Sequence, residues 1–344
     1  MPPELFVDLG KNAEMRWEAM SGRGYLTEID RFYVRNHGPT PTIDAATWTL
    51  RVEGPGVERA LKIGYEELLT LPSASVVCNL ECAGNGRVFF EEVQGRGAEG
   101  ALWRLGAIGV AEWTGVPLGE LLSLAGLKPS AVEVMPEGLD EERGRRPMPV
   151  GKALEMDTIV AYAMNGEPLS ADHGFPSRVV VPGWYAVASI KWVGRIYVSE
   201  EPVHVPWNTE EYVLAGPGYE ARNPGLGPAV TAQGVKSALE LPWPARLATG
   251  RRGIQGRAWS GAGEISRVDF SLDGGASWNP ARLTGQNLPR AWACFRFEWE
   301  PEPGEYEIRI RATDIAGNTQ PEAAPHNEQG YLYNAVVAHP VTVY

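Results

Sequence analysis

The chain has 344 residues, of which 44% are hydrophobic and 22% are charged, so it is long enough and apolar enough for two globular domains with their own cores. Its net charge of −12 argues against nucleic acid and against an anionic membrane surface as partners. Three cysteines, an odd number, do not build a disulfide framework.

The amino terminus reads MPPELFVDLGKNAEMRW and lacks the basic region and apolar stretch of an export signal. No apolar run approaches the roughly 18–20 residues that are needed to span a bilayer. We therefore expect a cytoplasmic protein that does not enter a membrane. A leader removed before this chain was defined would instead place it in the periplasm.

The first half of the chain, from about Thr47 to Val213, mixes strand-like and helix-like runs. In chain order, TLRVEG predicts a strand, YEELLTLP a helix, SVVCNLEC a strand, LGELLSLAG a helix, and SRVVVPG and IKWVGRIYVS two further strands. The second helix places Leu118, Leu121 and Leu122 on one face, and Gly126 ends it. This half is predicted to be an α+β domain.

A cysteine marks the end of the SVVCNLEC strand, where the sequence continues as ECAGNGR. The two glycines after Cys82 let the backbone approach a ligand closely, and the run leaves N–H groups without strand partners. A thiol on a strand end beside free amides and Arg87 suits an anionic ligand or a metal. The alternative is a buried, inert cysteine that precedes a turn.

The stretch AGPGYEARNPGLGP, between Ala215 and Pro228, is rich in glycine and proline and predicts a domain boundary. We divide the chain into domains 1–222 and 223–344. After the boundary, hydrophobic residues recur at every second position in ISRVDFSLDGG, WACFRFEWEP and GEYEIRIRATD. These strands and their turns predict an all-β sandwich of immunoglobulin-like type with a structural or associative role.

Polar stretches of the first half are the candidates for chemistry. FYVRNHGPTP, EGLDEERGRR, SADHGFPSRVVVPG, SIKWVGR and WNTEEYVLAG each place charged, histidine or tyrosine side chains beside an apolar run. Taken singly, each of these side chains has the simpler interpretation of a solvated surface group. Taken together, they fit a pocket for a phosphorylated cofactor and an oxyanion substrate.

Several of these motifs together resemble the sulfite oxidase family of molybdenum enzymes. The resemblance runs in order from about residue 31 to the carboxyl terminus through FYVRNHGPTP, ECAGNGR, EGLD, AYAMNGEPLSADHGFPSRVVVPG, IKWVGRI and SLDGGASW. It implies a sulfite oxidase-type molybdopterin domain followed by an immunoglobulin-like domain through which two chains pair as a homodimer.

The resemblance also implies roles for individual residues. Cys82 matches the thiolate that binds molybdenum. The positions that match the family's cofactor contacts are Tyr33, Val34, Arg35, Asn36, His37, Asp140, His173, Arg178, Ser189, Ile190 and Lys191. Those that match catalytic residues are Arg35, Arg87 and Tyr212, and those that match the substrate pocket are Trp103 and Gln329. Arg178 and Lys191 suit the phosphate of the cofactor.

The activity that the resemblance implies is the oxidation of sulfite, or of a related sulfur oxyanion, to sulfate with a molybdenum–molybdopterin cofactor. The sequence has no haem-attachment motif and no cytochrome b5 segment. We therefore expect no haem in this chain and a separate electron acceptor, such as a c-type cytochrome.

Two positions depart from the family pattern and leave alternatives open. Gly86 replaces the first of two arginines, and Gln329 stands where a late arginine is found. Losing a cation weakens the binding of a doubly charged oxyanion by about 1.5–3 kcal/mol, so the substrate is either sulfite bound less tightly or another sulfur compound.

Other functions remain as alternatives. These are a nitrate reductase-type molybdenum enzyme and a cofactor-free binding protein on the same fold. A zinc site built on Cys78, Cys82 and a histidine fits less well, because the CxxxC spacing without a second paired motif falls short of structural zinc sites.

Overall fold

The structure, a computed structural model, describes residues 2–344 and divides into two compact units. The first, called here the mixed unit, consists of Val34–Ala83 and Ala111–Thr231. The second, called the sandwich unit, consists of the chain up to Tyr33, Gly84–Val110 and Ala232–Tyr344. Each unit is made of segments that are not consecutive in the chain. The predicted domain boundary after residue 222 stays a prediction.

Strands outnumber helices in both units. The helices are α1 Tyr65–Thr70, α2 Val88–Glu92, α3 Leu118–Leu124, α4 Val150–Ala153 and α5 Pro206–Thr209. The strands are β1 Phe6–Asp8, β2 Ala13–Met15, β3 Thr49–Glu53, β4 Leu61–Gly64, β5 Ala74–Glu81, β6 Ile108–Pro117, β7 Glu133–Gly138, β8 Met148–Pro149, β9 Ile159–Met164, β10 Glu167–Pro168, β11 Arg178–Val180, β12 Val193–Ser199, β13 Lys236–Leu239, β14 Ala245–Leu247, β15 Arg252–Trp259, β16 Ile265–Ser271, β17 Asn279–Pro280, β18 Arg282–Asn287, β19 Trp292–Trp299, β20 Gly304–Asp314 and β21 Ala338–Val343. Within residues 2–344, no helix has the length and apolar character that crossing a membrane requires.

The mixed unit is built on two sheets. One has the order β10-β9-β6-β5, with β11 also paired to β9, and the other has the order β4-β3-β12-β7-β8. Helix α3 forms where its sequence predicts it, with Leu118, Leu121 and Leu122 fully buried in the core. Burying each leucine contributes about 1.5–3 kcal/mol. Gly126 follows the helix with φ +73°, a conformation that glycine adopts without strain. The predicted α+β fold is confirmed.

One predicted strand begins later than its sequence suggests. IKWVGRIYVS was expected to be extended throughout, yet β12 begins at Val193. Trp192 has a left-handed φ of +53°, which interrupts the extended backbone. Lys191 therefore lies in a loop and not in the strand, and this loop contributes to the site described below.

The sandwich unit contains the sheets β13-β15-β19-β18 and β14-β21-β20-β16-β17, which confirms the predicted β-sandwich. Strand β19 alternates as predicted, because Phe295 and Phe297 are buried while Glu298 is exposed. Strand β16 alternates less strictly, because Ser271 is buried although it is a polar residue between the hydrophobic positions Phe270 and Leu272. Its hydroxyl accepts a hydrogen bond from Gly275 N at 2.8 Å and so holds the turn that follows.

Residues near the amino terminus complete the core of the sandwich unit. Trp17 stacks on Trp259, with ring centroids 5.8 Å apart and planes 16° apart, and contacts Trp292 at 6.1 Å. Arg257 of β15 and Glu240, the residue after β13, form a buried pair, with Arg257 Nε 2.6 Å from the Glu240 carboxylate. The sandwich is therefore not built from its carboxyl-terminal strands alone.

A buried histidine makes the stability of the sandwich unit depend on pH. His339 Nε2 donates to Pro242 O at 2.9 Å, and burial lowers the pKa of His339 from 6.5 to about 4. As the pH falls below 6.5, the unfolded chain takes up a proton that the folded chain rejects until about pH 4. Stability is therefore lost across this window, by about 1.4 kcal/mol per pH unit for this one group.

We expect the melting temperature of the wild type to fall more steeply between pH 7 and 4.5 than that of His339→Gln, which keeps a donor for Pro242. Thermal denaturation at half-unit pH steps measures both curves against the same background of carboxylates. If the melting temperatures of the wild type and of His339→Gln fall in parallel with pH, His339 is not the source of this pH dependence.

Candidate active site

The thiol singled out by the sequence lies directly after strand β5. Cys82 is 7% exposed, and the preceding residues Cys78, Leu80 and Glu81 are buried as well. The strand ends one residue before the cysteine, so its backbone position is fixed by the sheet while the following loop is not part of the ladder. The chain divides between Ala83 and Gly84, which assigns Cys82 to the mixed unit and Arg87 to the sandwich unit.

A group of cations lies in the mixed unit around Lys191. Its Nζ donates to Asp172 O at 2.8 Å and to Asn36 Oδ1. Burial lowers the pKa of Lys191 well below its usual value, and the positive charges of Arg178 and Arg35 lower it further. The carboxylates of Asp172 and Asp140 act in the opposite direction without offsetting this. The local excess of positive charge favours an anionic ligand.

The loop that precedes β11 holds Arg178 in place. Its guanidinium donates to His173 O at 3.1 Å and to Ser189 O at 2.9 Å. Gly174 has φ +111°, and a Cβ there would lie 3.0 Å from Arg178 Cβ and 3.2 Å from Lys191 Cβ. The glycine therefore allows the two cationic side chains to start close together. His173 is buried, with Nδ1 2.7 Å from Ser170 Oγ.

Two further segments fix the loop that carries Lys191. Ile190 O accepts a hydrogen bond from Val179 N at 2.8 Å, and Ser189 Oγ accepts one from Val181 N at 3.1 Å. Asp140 is buried and its Oδ1 accepts from Gly144 N at 3.1 Å. Leu139 N donates to Trp192 O at 2.9 Å, which connects the segment that carries Asp140 to the loop that carries Lys191.

A tyrosine and a histidine are paired elsewhere in the mixed unit. The hydroxyl of Tyr212 lies 2.7 Å from His37 Nε2 and 3.4 Å from Arg35 Nη2. Tyr212 is 5% exposed and has a left-handed φ of +51°, a strained conformation for this residue type. The ring of Trp207 lies 4.3 Å from that of His37. A hydroxyl between an imidazole and a guanidinium is well placed to pass on a proton.

Arg87 is held in a close-fitting frame within the sandwich unit. Its Nε donates to Gln329 O at 3.0 Å and its Nη1 to Ala101 O at 2.8 Å. A Cβ at Gly84 would lie 2.7 Å from Nη2, and one at Gly100 would lie 2.6 Å from Nη1, so only glycine leaves room for the guanidinium. Nη2 makes no hydrogen bond to any residue that the structure describes. This nitrogen can therefore donate to a bound anion.

Trp103 lies in the same unit as Arg87. It is 1% exposed and meets the ring of Tyr33 edge-on at 6.2 Å. The segment after it is anchored by Glu14, whose carboxylate accepts from the backbone N–H of Arg104 and of Gly106, both at 2.9 Å. Burial raises the pKa of Glu14 despite these bonds.

The site residues that the sequence predicts are divided between the two units. The mixed unit contains Val34, Arg35, Asn36, His37, Cys82, Asp140, His173, Arg178, Ser189, Ile190, Lys191 and Tyr212, and the sandwich unit contains Tyr33, Arg87, Trp103 and Gln329. Trp207 was missed although it stands five residues before Tyr212 in the WNTEEY motif. Glu14 and Lys236 were missed because no local pattern indicates their contacts.

The donor set fits a metal that is carried by an organic anion. No group of three or more His, Cys, Asp or Glu side chains among residues 2–344 could hold a metal ion by itself. The mixed unit offers instead a single thiol, Cys82, and the cations Arg35, Arg178 and Lys191. That combination suits a cofactor that brings further ligands and a phosphate with its metal.

Two family models match the chain. Residues 37–207 match a model described as "Oxidoreductase molybdopterin binding domain", and residues 230–343 match one described as "Mo-co oxidoreductase dimerisation domain". The chain is 38% identical to "Sulfite oxidase" of Gallus gallus, over 97% of this chain and 77% of that protein.

Longer and structural relatives agree with these matches. "Sulfite oxidase, mitochondrial" of Homo sapiens is 36% identical over 97% of this chain and 64% of its own length, so the chain spans less than two thirds of that protein. The crystal structure of "the Sulfane Dehydrogenase SoxCD from Paracoccus pantotrophus" has a TM-score of 0.85 and 31% identity, and covers 97% of this chain and 85% of that one.

Proposed function

The chain belongs to the sulfite oxidase family of molybdopterin-dependent oxidoreductases, and from this membership we propose that it oxidises sulfite, or a closely related sulfur oxyanion, to sulfate. The observation that carries the proposal is Arg87, whose Nη2 is left to donate to a ligand while its two other nitrogens are fixed by carbonyls. This arginine follows the predicted metal-binding thiol by five residues in the chain. A rigid guanidinium is a strong ligand for an oxyanion.

Residues of the mixed unit would hold the cofactor. The Cys82 thiolate would bind the molybdenum, and Arg178 and Lys191 would bind the phosphate. Burial, together with the nearby positive charges, lowers the pKa of Lys191, and the negative charge of the phosphate would act in the opposite direction. Asn36, His37, Asp140, His173 and the Ser189–Lys191 loop would orient the pterin. When bound, the cofactor supplies the two-electron redox chemistry.

The protein contributes anion binding and proton transfer to the reaction. Sulfite and water give sulfate, two protons and two electrons. Arg87 binds the oxyanion, beside the apolar wall that Trp103 forms. As water is consumed, the Tyr212 hydroxyl accepts a proton while donating its own to His37 Nε2, and Arg35 holds the tyrosine hydroxyl in place.

Electrons leave the chain to a separate acceptor, for which we propose a c-type cytochrome. The match of residues 230–343 to a dimerisation domain supports a homodimer that forms through the sandwich.

A second candidate function is the oxidation of a more reduced sulfur compound, such as a sulfane sulfur. Gly86 and Gln329 replace two arginines of the family pattern, which weakens the case for a small dianion. The likeness to a sulfane dehydrogenase supports this candidate.

The test is a substrate panel with purified, molybdenum-loaded protein. Sulfite, thiosulfate and a sulfane donor are each offered with ferricyanide as acceptor, and nitrate is offered with reduced viologen. We expect sulfite-dependent reduction of ferricyanide and no nitrate reduction. Turnover with the sulfane donor alone would favour the second candidate, and turnover with nitrate alone would contradict both.

Loss of the phosphate-binding arginine is expected to cost the protein its cofactor. Arg178→Met removes two hydrogen bonds to backbone carbonyls and one cation, and we expect molybdenum content to fall by about 10- to 100-fold. Elemental analysis of purified protein measures this. Arg195→Met is the control, because Arg195, on β12, pairs with Glu53 of β3 and is not assigned to the cofactor. Equal molybdenum content in both variants would contradict the assignment.

A further inference from the structure

A buried lysine lies against the turn that carries Arg87. Lys236 is the first residue of strand β13 and is 2% exposed. Its Nζ donates to Asn85 O at 2.8 Å, across a separation of 151 residues in the chain. The ring of Trp259 lies 5.9 Å from the ammonium group. The lysine thus brings a positive charge from the sandwich strands to the Gly84–Arg87 turn.

This turn is fixed from three directions. The backbone bond from Arg87 N to Gly84 O, 2.9 Å long, closes it. The side chain of Asn85 accepts from Ala107 N at 3.1 Å, and the main chain of Asn85 accepts from Lys236. Arg87 therefore starts from a backbone position that Lys236 helps to set.

A side chain at position 86 would be strained and crowded in this chain. Gly86 has φ +91°, and a Cβ there would lie 3.2 Å from Tyr333 Cβ and 3.5 Å from Lys236 Nζ. The family pattern has an arginine at this position, and here the space beside it is occupied by Tyr333 and the ammonium group of Lys236. The charge missing from the turn is thus present beside it.

The positive charge of Lys236 is buried, and a buried charge needs a physical reason. Burying an ammonium group is costly, and a methionine would fill the same space without that cost. A charge retained next to the residue that binds an anion is useful in one respect, because it strengthens the attraction for that anion in a medium of low dielectric constant.

We propose that Lys236 is a positioning residue for oxyanion binding, which holds the Gly84–Arg87 turn and adds a second positive charge to the field at Arg87. The inference rests on the proposed function, because it assigns the anion to the Arg87 side chain. The ligand whose binding Lys236 strengthens is a doubly charged, tetrahedral or pyramidal sulfur oxyanion.

The experiment compares Lys236→Gln, Lys236→Met and Lys236→Arg with the wild-type holoenzyme. Sulfate, an unreactive dianion, is titrated calorimetrically at low and high salt, and sulfite turnover is measured in parallel. For the Gln and Met variants we expect the Kd for sulfate and the KM for sulfite to rise about tenfold, equivalent to about 1.4 kcal/mol, with kcat within about twofold. Sulfate binding by these two variants should also depend less on salt concentration. Lys236→Arg keeps the positive charge and should bind sulfate with the affinity of the wild type.

Lys152→Met is the matched control. Lys152 is also buried and donates to a backbone carbonyl, Pro182 O at 2.9 Å, but it pairs with Glu155 and lies in the mixed unit. It should leave sulfate binding unchanged.

Wild-type sulfate affinity and salt dependence in Lys236→Gln would overturn the proposal. So would a folded Lys236→Arg that binds sulfate ten times more weakly than the wild type, which keeps the test decisive should the neutral variants fail to fold. A wild-type protein that turns over no sulfur oxyanion would contradict the proposed function, whereas the sulfate titration still decides the role of Lys236.

Discussion

Replacing Cys82 by serine is expected to abolish sulfite oxidation, with kcat falling by more than about 100-fold. The reason is that a thiolate bound to a highly charged metal sets the electronic character of that metal, and a hydroxyl does not replace it. This loss should exceed the roughly 10- to 100-fold that follows from removing residues outside the ligand shell. Sulfite-dependent reduction of ferricyanide, normalised to molybdenum content, measures the effect.

Cys78→Ala provides the control for this experiment. Cys78 is fully buried on β5, four residues before Cys82 in the chain. Its replacement removes a buried thiol without touching the predicted metal ligand, so turnover per molybdenum should remain close to that of the wild type. Full turnover by Cys82→Ser with its molybdenum retained would refute the assignment of the ligand.

Replacing Arg87 by alanine is the second change for which we expect a large effect. In its proposed role Arg87 is a charged donor to the oxyanion, and losing such a donor costs about 1.5–3 kcal/mol, so kcat/KM for sulfite should fall by about 10- to 150-fold. The main change should be in KM. The melting temperature should fall as well, because the carbonyls of Ala101 and Gln329 lose their donor.

Arg104→Ala is the control for removing an arginine from the same unit. Arg104 belongs to the same unit but pairs with Glu92 at the surface, at 2.7 Å, and its side chain is 36% exposed. A surface pair of this kind contributes about 0–1 kcal/mol. We expect unchanged steady-state kinetics in this variant. A kcat/KM for Arg87→Ala that matches the wild type would exclude Arg87 from substrate binding.

Local patterns predicted the elements whose residues interact with near neighbours in the chain. Helix α3 follows from leucine spacing and from Gly126, and strand β19 follows from the alternation of Phe295 and Phe297 with polar residues. Both patterns depend on one buried face, which the sequence records directly. The β-sandwich follows in turn, because several such strands with short turns have few other ways to bury their apolar faces.

Contacts between distant segments could not be predicted in the same way. Arg87 and Gln329 are separated by 242 residues, and Lys236 and Asn85 by 151, yet each pair is joined by one hydrogen bond. Nothing in the chemistry of a single lysine in a strand indicates which carbonyl it reaches. The loop position of Lys191 was missed for a different reason, since it depends on the left-handed backbone of Trp192.

The stacking of Trp17 on Trp259 has a practical consequence for dissecting this protein. A recombinant fragment that starts at residue 232 would contain every strand from β13 to β21 but would leave the indole faces of Trp259 and Trp292 open to water. Exposed aromatic surface of this kind promotes aggregation, so self-association of such a fragment would say little about native pairing. Gel filtration to measure the oligomeric state should therefore use protein that keeps the residues up to Tyr33.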